Sequence, residues 1–155
     1  MKTCKFCWSL VAVLAIAVAI FGYKFTVGEV KPSTDGRLAV QLTKDERNAL
    51  LLEMRTWLQN TQAILAAASA GDLAAAARVA RASGMAAEAG TPGSLFRKIP
   101  VEMKRLGFAT RGLFDEIAAE AEKTKDPQRV LTLLGAAMNN CVACHATFRF
   151  VEAEK

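Results

Sequence analysis

Histidine is almost absent from this chain of 155 residues, and His145 is the only one. No centre in the protein can therefore use two imidazoles. Aromatic residues are sparse at 7%. Past the apolar N-terminus no β-branched run bounded by turns is found, so nothing predicts a sheet. There is no basic block interleaved with aromatics, which leaves a nucleic-acid footprint without support. Paired catalytic carboxylates, a nucleophile beside a base and a phosphate loop are all missing, and the expectation is a protein that is not an enzyme. The net charge of +5 says little about partners. Lys2, Lys5 and Lys24 flank the N-terminal apolar run, and without them 17 basic residues face 15 acidic ones.

What is abundant is alanine and leucine, interspersed with Lys, Arg and Glu, which points to an all-α protein. The first 25 residues form a separate unit. Phe6 to Tyr23 is a stretch of 18 residues without a charge, preceded by Lys2 and Lys5. That length lies at the lower end of what spans a bilayer, and basic residues before the run place the rest of the chain outside the cytoplasm. An uncleaved transmembrane anchor and a cleaved signal peptide both fit. Ala17-Val18-Ala19 is a small-x-small site, but it lies inside the apolar run. Cys4 and Cys7, at the start of the run, precede it rather than follow it, unlike a lipoprotein signal, and carry no expected function. Residues 26–42 read as a linker punctuated by Gly28, Pro32, Ser33, Asp35 and Gly36.

Residues 43–155 read as four helices. Thr43 and Glu46 have capping-box spacing, and Leu51, Met54, Leu58, Thr61 and Leu65 follow at helical intervals. Asp72 opens a second helix that runs to about Ala89. Pro100 opens a third, with the stripe Met103, Leu106, Thr110, Leu113, Ile117 and Ala121. Asp126-Pro127 opens a fourth, with Val130, Leu134, Ala137, Cys141, Cys144 or His145, and Phe148 on one face. Narrow apolar faces and short connections predict an antiparallel four-helix bundle. The alanine-rich faces are expected to leave room inside for a large planar group.

The chemistry lies in Cys141-Val142-Ala143-Cys144-His145. C-x-x-C-H is the attachment motif of a c-type haem: each thiol forms a thioether with a vinyl group, and the histidine ligates the iron. A structural zinc site needs four ligands, and these residues supply three. A thioredoxin-like pair should open a helix after a strand, whereas this pair sits deep in a helix. The expected cofactor is one covalent haem c on Cys141, Cys144 and His145.

With that motif near the end of a helical bundle, the chain resembles the class II c-type cytochromes, the cytochrome c prime group, over about residues 40–152. The ending Cys141-Val142-Ala143-Cys144-His145-Ala146-Thr147-Phe148-Arg149 is similar to that family's, where an aromatic and a basic residue follow the histidine. The resemblance implies His145 as proximal iron ligand and Arg149 as a neighbour of the haem. The sixth position is either filled by a methionine of the first helix or left open beneath an apolar side chain. Here the methionine would be Met54 and the apolar cap Leu50 or Leu51. The first arrangement favours electron transfer to a redox partner protein; the second favours binding of small gases such as nitric oxide. Homodimers are common among such cytochromes. The expected location is the bacterial cytoplasmic membrane with a periplasmic haem domain, or the periplasm if the N-terminus is cleaved.

Overall fold

The computed structural model describes residues 5–153. Lys2 and Cys4, with the last two residues, lie outside that range, and so does the side chain of Lys5. The chain is mostly helical, 76%, with six helices among the described residues. The first, α1, covers Lys5–Val27. Its side chains from Phe6 to Phe25 stand exposed, and its mean hydropathy reaches 2.3. At about 1.5 Å per residue it is long enough to cross a membrane.

The segment expected as an irregular linker is ordered. β1 (Val30–Pro32) pairs antiparallel with β2 (Leu38–Leu42), and β2 pairs in parallel with β3 (Phe148–Glu152). The chain is therefore not purely helical. Phe148 does not continue the fourth helix: it begins β3, opposite Leu38. The end of α1 is also fixed to the body of the protein. Gly28 adopts φ +70, and a side chain there would bring its Cβ within 2.7 Å of the Pro100 nitrogen. The Glu29 amide donates to the Lys98 carbonyl at 2.8 Å.

The remaining helices follow their caps. α2 (Lys44–Ser69) starts at Thr43, whose hydroxyl accepts from the Glu46 amide while the Glu46 carboxylate accepts from the Thr43 amide. α3 (Leu73–Arg81) starts at Asp72, which accepts from the Ala75 amide. The expected second helix is shorter than its pattern. It stops at Arg81, and Met85–Gly90 forms a separate 3-10 turn, followed by the short α4 (Gly93–Lys98). α5 (Val101–Lys123) and α6 (Pro127–Thr147), the latter capped by Asp126, pack along each other.

Two cores result. In the first, Ile64 and Ala68 of α2, Ala76, Ala77 and Ala80 of α3, Phe114, Ile117, Ala118 and Ala121 of α5, and Val130 and Leu134 of α6 close on one another. Alanines let the backbones approach closely. They therefore seal this end of the helices and do not make room, as the sequence suggested. The second core holds Val40, Leu42, Leu50, Leu95, Ile99, Met103 and Phe148 beside the small sheet. The inward face of α2 is turned from the expected stripe. Leu50, Ile64 and Ala68 are buried, whereas Leu58 and Leu65 are exposed.

Candidate haem site

Between the second core and the motif, the helices stand apart. A narrow cavity of about 100 Å³ opens between α2, α5, α6 and the segment 88–99. Leu50, Met54 and Trp57 wall it from α2, Phe96 and Ile99 from α4 and the residue after it, Met103, Leu106 and Phe108 from α5, and Cys141, Cys144 and His145 from α6. No alanine is among its lining residues. The inward apolar face of α6, buried at Val130, Leu134 and Ala137, runs on into the half-buried cysteines.

The motif's side chains have distinct surroundings. The Cys141 thiol contacts the Ala137 carbonyl at 3.6 Å, one turn back. Burial pushes the Cys144 thiol up to about 11, and the neighbouring Cys141 sulfur adds to the shift. Burial raises the Cys141 thiol as well. Both sulfurs are therefore protonated near neutral pH, the reverse of a redox-active thiolate pair. His145 is exposed at the end of the motif but contributes to the cavity wall. Among the described residues no three His, Cys, Asp or Glu side chains converge as a metal set. The two sulfurs and the imidazole are thus spread along one wall of the cavity and are not gathered around a point.

The end of α6 is held by the small sheet. Arg37 donates to the carbonyls of His145 at 3.3 Å and Phe148 at 3.5 Å, and its guanidinium also pairs with Asp35 at 2.7 Å. The hydrogen bond from Arg37 holds the Asp35 carboxyl well below the usual carboxylate range. Arg149 joins the same cluster, donating to Ser33 at 3.3 Å and Asp35 at 3.2 Å. It lies on β3, away from the cavity lining. Arg37, which sequence reasoning missed, is the cation that touches the motif's backbone. No local pattern marks it, because its contacts join residues 108 and 111 positions apart.

Met54 and Leu50, one turn apart on α2, both line the cavity, and so does Met103. Leu51 does not; with Leu58, Met138 and Val142 it lines a wider, more open groove of about 520 Å³ on the outer side of α2 and α6. Met54, Trp57, Cys141 and His145 border both concavities, but only the inner one holds both cysteines. Met85 is exposed and lines neither.

The cavity wall also carries charge. Arg111, 3% exposed, contacts Glu53, pairs with Glu88 at 2.7 Å and lies with its guanidinium carbon 5.0 Å from the Trp57 ring centre. Burial pushes the Glu53 carboxyl up, against the pull of Arg111. The Asn140 amide nitrogen, beside Cys141, is buried without an acceptor among the described residues. Comparison with protein-family models, curated proteins and solved structures returned no match.

Proposed function

We propose that this chain is a membrane-anchored c-type cytochrome that transfers electrons at the outer face of the cytoplasmic membrane. One observation carries the reading: a single, mainly apolar cavity takes both thiols and the imidazole of C-x-x-C-H into one wall. The apolar lining and an orphaned donor at Asn140 suit a flat macrocycle with polar edges. In this reading α2, α3, α5 and α6 form the antiparallel four-helix bundle of the class II cytochromes c, and α1 is the anchor. The small sheet departs from that simple bundle, and Arg149 faces the sheet instead of the cavity.

When bound, haem supplies a one-electron Fe(III)/Fe(II) couple. The chain's own groups do the rest. Cys141 and Cys144 would each hold the group through a thioether, the S–H adding across a vinyl double bond so that no atom is lost. His145 would hold the iron through a ring nitrogen, and Arg37 fixes the backbone behind it. Trp57, Phe96 and Phe108 exclude water from the cavity. Met54 is the candidate sixth ligand, and its thioether sulfur favours the reduced metal. Leu50, buried one turn away, favours a second reading in which the iron is open and binds small gases such as nitric oxide.

The visible and near-infrared spectrum decides between the two. Met54 ligation gives a low-spin ferric form with a weak sulfur-to-iron band. Met54→Ala then abolishes the band, lowers the potential and admits carbon monoxide. A high-spin wild-type protein that binds carbon monoxide readily moves the function to gas binding, with Leu50 over the iron.

A further inference from the structure

Two cations on α5 are buried in the same cavity wall, and they are treated differently. Arg111 has two carboxylates, Glu53 and Glu88, and the Gly84 carbonyl at 3.4 Å. Lys104, two turns earlier and 8% exposed, has none. Its ammonium donates to the Phe25 carbonyl at 3.3 Å and lies 3.8 Å from the Phe25 ring centre and 4.6 Å from that of Phe96. A carbonyl dipole and two ring faces orient a cation without neutralising it. Nearby acids are committed elsewhere: Glu46 to Lys98 at 2.7 Å and Glu102 to Arg105. Among the described residues no carboxylate comes within ion-pair distance of Lys104. Burying an ammonium with no counter-charge is costly, and proteins ordinarily avoid it.

We propose that Lys104 is an anion site within the cavity and that its partner is a haem propionate. The inference rests on the haem reading and adds an orientation to it. The carboxylate edge of the macrocycle points toward α4 and the end of α1, while the vinyl edge meets Cys141 and Cys144 on α6. Arg111 is already paired with two carboxylates, which leaves Lys104 as the cavity cation with no carboxylate of its own among the described residues. Because Lys104 is also bonded to the last turn of α1, the prosthetic group is coupled to the position of the N-terminal helix.

The test uses the full-length holoprotein, with covalent haem confirmed first by haem staining of the denatured chain. The midpoint potential is measured against pH for the wild type, Lys104→Met and Lys104→Arg, in detergent without phospholipid and in phospholipid discs. An ammonium beside a propionate keeps it ionised to lower pH. Its loss should move the pH-dependent part of the curve upward by about one to three pH units and lower the potential above it, and arginine should restore both. Should Lys104→Met load poorly, the wild type still decides: a redox-difference infrared spectrum with carboxylate-labelled haem should show ionised propionates well below neutral pH. An unmoved curve in normally loaded Lys104→Met, or a protonated propionate at neutral pH, overturns the assignment. A shift confined to phospholipid discs places a lipid phosphate on Lys104 and also overturns it. A chain without covalent haem removes the underlying reading, and the stain reveals that before any titration.

Discussion

The same two helices, α5 and α6, build both ends of this protein, and the ends are opposites. Where Phe114, Ile117 and Ala121 meet Val130 and Leu134, every side chain is buried and the core is closed. Two to three turns away, where Met103, Leu106 and Phe108 face Cys141 and Cys144, the helices leave a cavity. The closed end is lined by aliphatic groups, small alanines and one phenylalanine. The open end carries aromatics, sulfur and four charged side chains, Glu53, Glu88, Lys104 and Arg111. A chain selected only for stability would close both ends, because each missing contact costs dispersion energy. The difference teaches that stability resides in one half and the site in the other.

Paired substitutions separate the halves most strongly. Phe114→Ala empties the closed core and should cost about 3–5 kcal/mol in denaturant unfolding, with the visible spectrum of the folded protein unchanged. Leu50→Ala, already beside open space, should cost about 2 kcal/mol, with a clear change in the spectrum. Equal losses of stability with no spectral change at Leu50 would erase the distinction.

A smaller effect sharpens the comparison at the junction between the sheet and the helices. Burial raises the Glu46 carboxyl, but hydrogen bonds from Lys98 and Thr43 outweigh it, and the net shift is downward. A carboxyl whose folded value lies below its unfolded value stabilises fully above the unfolded value, and the gain disappears as pH falls through the folded one. Glu46 should therefore contribute about 1 kcal/mol at neutral pH and nothing in strong acid. The difference in stability between wild type and Glu46→Gln, followed from pH 7 downward, should shrink toward zero below the ordinary carboxylate range. A difference that stays constant with pH would show that the Lys98 and Thr43 contacts contribute nothing through charge.

Much of the helical frame was legible because its signals are local. The Thr43–Glu46 box, Asp72 and Asp126-Pro127 each act within three residues and form as their spacing suggests. The α5 stripe is also inward, with Met103, Thr110, Ile117 and Ala121 buried. The sheet was hidden because β1, β2 and β3 have three, five and five residues. The β2–β3 pairing closes over more than 100 positions, and Phe148 continues the helical stripe of α6 well enough to pass for it. The face of α2 was misread for a physical reason. Leu51, Leu58 and Leu65 form the more apolar row, yet the cavity asks for Glu53 and Trp57 on the inside, where they meet Arg111. The cysteines and histidine stand out in the sequence through the fixed spacing of C-x-x-C-H. The charges that complete the cavity, Lys104 and Arg111, had no signature beyond their positions on an amphipathic helix.

The central claim is that Cys141 and Cys144 both carry one haem. Intact mass measured under denaturing conditions, after expression with c-type maturation proteins, tests it most directly. The account predicts a chain heavier by one haem that resists acid-acetone extraction, and loss of that stable addition when both cysteines are replaced by serine. A chain at its bare polypeptide mass, with both thiols free to alkylation, would contradict it.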